Sequence, residues 1–161
     1  MRRKVKRREG ARVLVVADGQ VLLQQDSDPG VPGIRWWTTP GGGLDDGETP
    51  REAAKRELFE ETGLEIDVDQ LVGPVATRFV RHGYSDRILY QHETFFRADV
   101  APFAPDPVGL TAKERTRMIT QEWFPLTELP AVVWPASLGE LLAWDGGALI
   151  DLGEMDESTV D

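Results

Sequence analysis

The alternation of apolar and polar positions divides the chain into short strands, two helices and turn-rich connections. Apolar residues recur through Arg12–Val16 and again through Gln20–Gln24, and the intervening Ala17-Asp18-Gly19 carries an Asp-Gly pair. Asp-Gly tolerates the positive φ angles of a tight turn, so the two runs predict a β-hairpin. Asp26 to Gly33 holds two Pro and two Gly and reads as a loop. Arg35-Trp36-Trp37-Thr38-Thr39 is aromatic and β-branched, a short strand that Pro40-Gly41-Gly42-Gly43 should stop with a flexible turn.

The best-marked element is a helix. Thr49 is a suitable N-cap, Pro50 takes the first position where its missing N–H costs nothing, and Glu52 completes a Thr-x-x-Glu capping box. Ala53 to Glu61 are mostly good helix formers, and Gly63 offers a left-handed stop. Further on, Leu71–Arg81 and Ile88–Val100 predict strands joined through His82–Asp86, with Gln121–Pro125 as another strand and Ser137–Trp144 as a second helix. Ala101 to Arg117 contains three Pro and reads as a long loop, a kind that compact domains keep chiefly where it serves function. Strands before, between and after two helices predict an α/β fold, helices packed on a mixed sheet as a sandwich.

Length and charge narrow this picture. A chain of 161 residues fits one globular domain, here expected over residues 11–150, with a basic arm at 1–10 and a fraying acidic tail at 151–161. The arm holds Arg2, Arg3, Lys4, Lys6, Arg7 and Arg8, a run expected to be solvated. No apolar run is long enough to cross a bilayer and no secretory pattern follows the arm, so a cytoplasmic protein is expected. The absence of cysteine excludes disulfides, thiolate nucleophiles and cysteine-held metals. A net charge of −10 argues against general nucleic-acid binding. With two His and 28 acidic residues, any metal should be a hard, oxygen-seeking cation such as Mg²⁺ or Mn²⁺.

The helix supplies the chemistry. At about 100° per residue, Glu57, Glu60 and Glu61 fall within an arc of about 100° on one face. They also lie in the last turns, where the helix dipole already disfavours negative charge. A divalent cation would relieve this penalty and the repulsion between Glu57 and Glu61, four residues apart, by taking the carboxylates as ligands. A solvated acidic face is the alternative that the helix alone leaves open.

The surrounding spacing is more specific. From Gly42 to Leu64 the chain reads G-x5-E-x7-R-E-L-x-E-E-x-G-L. This segment resembles the signature of the Nudix hydrolases, and the flanking strands resemble that fold roughly from Ala11 to Trp144. The resemblance implies an α/β/α sandwich and Mg²⁺ (or Mn²⁺) bound through Glu57, Glu60, Glu61 and the Gly41 carbonyl. It also implies that Glu57 takes a proton from the attacking water and that Arg56 orients the acids through Glu48. Gly42 and Gly43 would let backbone approach a metal or phosphate closely. The activity implied is hydrolysis of the diphosphate linkage of a small nucleotide-like molecule, by a protein that resembles a family often found as homodimers.

Substrate choice is less marked. Positions that distinguish familiar subgroups hold Val80 and Arg81, which select none. Arg35 and Trp37, on the aromatic strand, are candidates for contacting a base. Family members also recruit a further acid from outside the motif, and two positions qualify: Glu93 as a metal neighbour and Glu114, in the long loop, as a base. Alternative functions are an RNA-end hydrolase (cap or 5′-triphosphate) using the basic arm, and a non-catalytic ligand-binding domain, for which the acids of the motif should have eroded.

Overall fold

Period-two alternation in the first strand decides how the molecule is layered. A computed structural model describes residues 2–161. Its elements are, in chain order, β1 (Lys4–Ala17), β2 (Gln20–Ser27), β3 (Arg35–Thr38), β4 (Gly41–Gly43), α1 (Pro50–Thr62), β5 (Val72–Gly83), β6 (Arg87–Asp99), α2 (Ala112–Arg117), β7 (Met118–Pro125), β8 (Val133–Trp134), α3 (Leu138–Leu142) and β9 (Ile150–Asp156). Ala11, Val13 and Val15 of β1 pack with Ala53, Ala54 and Leu58 of α1, whereas Leu14 and Val16 pack with Leu138, Leu141 and Leu142 of α3. Successive strand residues face opposite sides, so one strand supplies both cores of an α/β/α arrangement. The α/β sandwich expected from the sequence is the fold observed.

The strands form one mixed sheet in the order β8-β3-β2-β1-β6-β5-β9, with β4 also paired to β1 and β7 to β2. The central pair, β1 and β6, runs parallel from Lys4↔Arg87 to Val16↔Asp99. By contrast β1 and β2 pair only beside their turn, at Val16↔Val21 and Ala17↔Gln20, where Asp18 and Gly19 have φ of 48° and 72° as the hairpin requires. Beyond that point β3 pairs with β2 and β4 pairs with β1, so the chain crosses between the diverging strands at Thr39-Pro40. This crossing brings Gly41–Gly43 under α1.

A chain of buried charges ties four strands together. Glu93 of β6, with no exposed surface, accepts from Arg12 Nε of β1 at 2.7 Å and from Arg78 Nε of β5 at 2.7 Å. Arg78 Nη1 continues to Glu157, just past β9, at 2.6 Å. Burial alone would raise the Glu93 carboxyl, but Arg12 and then Arg78 pull it well below the usual carboxylate range.

Several expectations are corrected. The expected basic arm is a strand from Lys4 onward, because β6 extends far enough to satisfy its backbone, while most of its side chains stay exposed; Met1 lies outside the described residues. Residues 151–161 do not fray: β9 pairs parallel with β5, and Glu157 is buried against Arg78. The Gly41–Gly43 segment is a strand rather than a free turn. The long loop ends in α2, which Thr111 and Glu114 start with a reciprocal capping box. The second expected helix is shorter, covering Leu138–Leu142.

Replacing Glu93 by Gln should leave Arg12 and Arg78 without their shared counter-charge and cost about 3–5 kcal/mol in urea unfolding at pH 7. Because the folded-state carboxyl lies below its unfolded value, its contribution is present above the ordinary carboxylate range and fades as pH falls through it. Equal stability of variant and wild type at neutral pH would contradict this role.

Candidate active site

Both ends of α1 are fixed as the sequence predicts. Thr49 and Glu52 form the reciprocal capping box, and Gly63 takes φ of 78° while its N–H bonds the Phe59 carbonyl. From this helix Arg56 organises the surroundings. Its Nε and Nη2 grip Glu48 at 2.8 and 2.9 Å, and Nη2 also donates to the Gly43 carbonyl at 2.9 Å. Its Nη1 donates to Glu57 at 2.9 Å and Glu60 at 3.1 Å. The Arg56–Glu48 link expected from the motif is therefore made, as a two-pronged pair.

Glu57 and Glu61 turn inward toward β4. The Gly41 N–H donates to Glu61 at 2.7 Å, so this glycine meets the acid through its nitrogen. A Cβ on Gly42 would lie 2.7 Å from the Glu57 carboxylate, and one on Gly43 would lie 2.8 Å from the Arg8 guanidinium. A side chain at either position would displace the Glu57 carboxylate or the Arg8 guanidinium from its present place.

The third acid comes from far along the chain. One carboxylate oxygen each of Glu57, Glu61 and Glu114 lie within 4.8 Å of one another. Glu114 sits in the first turn of α2, with one oxygen accepting from the Thr111 N–H at 2.9 Å. Burial pushes Glu57 up to about 6 against the pull of Arg56, and burial with repulsion from Glu57 raises Glu61 well above the usual range. Carboxylates this close and this desolvated resist joint ionisation, and a divalent cation is the partner that such an oxygen set fits.

The other expected site residues divide. Glu60 lines the same cleft but bonds Arg56 and stands outside the trio. Glu93 is corrected: both its oxygens are taken by Arg12, Arg78 and Gln91, which leaves it a structural anion rather than a metal neighbour. Arg35 and Trp37 are also corrected as base contacts. Neither lines the cleft; Arg35 is exposed on β3, and Trp37 packs edge-on against Phe124 at 4.7 Å, because alternation sends it into the α3-side core.

The cleft itself holds about 710 Å³. Beside the acids it is lined by residues that the sequence did not single out, among them Arg8, Arg12, Tyr84, Arg87 and Arg117. Arg12 also donates to the Thr39 carbonyl at 2.7 Å, next to the crossing that carries β4. For Arg8 the signal was the i, i+2 spacing of Lys4, Lys6 and Arg8 within β1, hidden because both faces of that stretch are polar; Tyr84, Arg87 and Arg117 come from other elements and had no local signal.

The chain as a whole resembles known proteins. A family model described as NUDIX domain matches residues 6–145. The mouse protein named oxidized purine nucleoside triphosphate hydrolase is 37% identical over 100 residues, 62% of this chain and 56% of its own length. An RNA pyrophosphohydrolase of Cereibacter sphaeroides is 50% identical over 52 residues, 32% of this chain and 30% of its own. One from Brucella anthropi is 31% identical over 134 residues, covering 76% and 74%. The chain thus spans 56% and 30% of the lengths of the mouse and Cereibacter relatives. A MutT NUDIX hydrolase structure from Burkholderia pseudomallei superposes with TM-score 0.63 at 25% identity, covering 84% of this chain and 96% of that one.

The raised carboxyls set a pH dependence for cation binding. Below about 6 Glu57 holds a proton that competes with the cation, and above it the paired charges favour the cation. Mg²⁺ should therefore raise the melting temperature more at pH 8 than at pH 5. A shift of equal size at both values, or none at either, would contradict the cluster's assignment.

Proposed function

The chain belongs to the NUDIX domain family, and we propose that it is a divalent-cation-dependent hydrolase that cleaves the diphosphate linkage of a nucleoside diphosphate derivative. The observation that carries this reading is the approach of Glu57, Glu61 and Glu114 within 4.8 Å beside an arginine-braced helix. Mg²⁺ or Mn²⁺ held there would neutralise the diphosphate and acidify water for attack on phosphorus.

The chain's own groups do the rest. Arg56 ties Glu57 and Glu60 to Glu48, so the acids meet substrate already oriented and no reorganisation is needed during reaction. Glu57 and Glu61 are the buried holders of the cation, joined by Glu114. Glu114 is the least buried of the three, sits across the cleft on a separate element and is the acid best placed to accept the proton of the attacking water. The missing side chains at Gly42 and Gly43 let the Glu57 carboxylate and the Arg8 guanidinium lie directly against β4.

One relative is named for a nucleoside triphosphate and others for RNA, so a free nucleotide and an RNA end are both to be assayed. The filled acid positions count against a purely ligand-binding domain.

Turnover of nucleoside triphosphates, nucleotide sugars and triphosphate-ended RNA should require Mg²⁺ or Mn²⁺ and cease in excess chelator. Ca²⁺, with its looser coordination, should not restore it. Glu57→Gln and Glu61→Gln should each lower kcat by at least about a hundredfold while the circular dichroism spectrum is unchanged. Full activity of either folded variant would overturn the assignment of that acid.

A further inference from the structure

Pairing with β6 sorts the basic residues of β1 onto two faces. Lys6 and Arg8 turn into the cleft, while Arg7 turns out with its guanidinium 4.3 Å from the Tyr90 ring. Arg87 enters the cleft from β6. Arg8 and Glu57 flank β4 one residue apart, against Gly43 and Gly42 respectively, so cation and carboxylate share the cleft without an ion pair between them.

The other cations near the cleft are already matched. Arg12 has Glu93, Arg56 has its ring of acids, and Lys113 and Arg117 share Asp86. Among the described residues, Lys6, Arg8 and Arg87 have no carboxylate within ion-pair distance. The Arg8 Nε donates to the neutral Gln91 side chain at 2.6 Å, and Arg87 lies 5.4 Å from the Tyr84 ring with its Nε buried and unbonded. Burial, followed by repulsion from neighbouring arginines, holds both guanidiniums below their ordinary value. In a protein with net charge −10, two half-buried unmatched arginines with an exposed lysine beside them on one wall of the cleft call for an anion from outside.

We infer that Lys6, Arg8 and Arg87 bind a phosphate group of the substrate beyond the linkage that is cut, which selects substrates carrying a triphosphate or longer chain over nucleotide sugars. This rests on the hydrolase reading for its turnover and on the cation wall alone for its binding. A nucleotide sugar ends its diphosphate in an uncharged ring, which would leave Arg87 unmatched, whereas a further phosphate supplies acceptors to both forks. The chemistry is shared by a free nucleoside triphosphate and a triphosphate-ended RNA.

The test has a binding arm and a turnover arm. Inorganic tripolyphosphate is titrated by calorimetry into the full chain in metal-free buffer, for wild type, Arg8→Gln, Arg87→Gln and the charge-keeping Arg8→Lys, with melting curves as the folding control. The expected result is binding by wild type, weakened at least about tenfold, or ~1.4 kcal/mol, in each Gln variant and largely kept in Arg8→Lys. No wild-type binding, or equal binding by all four, would overturn the inference. In Mg²⁺, the Gln variants should lose at least about tenfold more kcat/KM on a nucleoside triphosphate or triphosphate-ended RNA than on a nucleotide sugar, and whichever loses more names the source. Equal losses on all three would overturn the selectivity. If wild type binds tripolyphosphate through these arginines but hydrolyses nothing, the hydrolase reading fails and the anion site stands.

Discussion

Glu93 held between two guanidiniums is the interaction on which the rest of the structure leans. A carboxylate with no exposed surface survives as an anion only because Arg12 and Arg78 meet it from the neighbouring strands on either side. Those contacts link β1, β6 and β5, and Glu157 extends the chain of charges to β9. They also fix Arg12, whose other nitrogen holds the Thr39 carbonyl where the chain crosses to β4. Two residues on, Gly41 reaches Glu61 with its N–H. One line of contacts therefore runs from the centre of the sheet to the acid cluster.

That line explains how an acidic protein sustains a concentration of like charges. Acids with every oxygen engaged, such as Glu93, are structural, whereas the ionisation of Glu57 and Glu61 is opposed by burial and by one another, an arrangement that a divalent cation would relieve. Arg56 belongs to the second group's scaffold: its grip on Glu48 and Gly43 sets the direction of α1 against β4, and with it the spacing of the cluster. Cations are divided the same way, into those spent within the fold and those left open along the cleft.

Local signals carried much of this into the sequence. The capping box at Thr49, the Gly63 stop and the Asp18-Gly19 turn depend on neighbouring residues and were legible without a structure. The Glu48–Arg56 pair was implied by the family resemblance that the motif carries. What escaped depends on partners distant in sequence. A charged stretch from Lys4 to Gly10 has no apolar alternation, so its strand character comes from distant partners, chiefly β6 some eighty residues later. The direction of Glu93 was ambiguous because its own strand face is polar; Arg12 and Arg78 decide it. Glu114 was named as a candidate base, yet its approach to Glu57 and Glu61 depends on where a Pro-rich loop delivers α2, which no local rule fixes. Trp37 was set by alternation around Trp36, whose stacking on Trp134 at 4.5 Å claims the other face of β3.

The division between structural and cation-seeking acids can be read directly from side-chain carboxyl carbon resonances in a glutamate-labelled sample titrated with pH, with and without Mg²⁺. Without the cation, Glu57 should titrate near 6 and Glu61 above the ordinary range, and Mg²⁺ should move both downward. Glu93 should stay ionised throughout and not respond to Mg²⁺. A Glu93 resonance that shifts with Mg²⁺ while Glu57 and Glu61 remain unmoved would contradict the account.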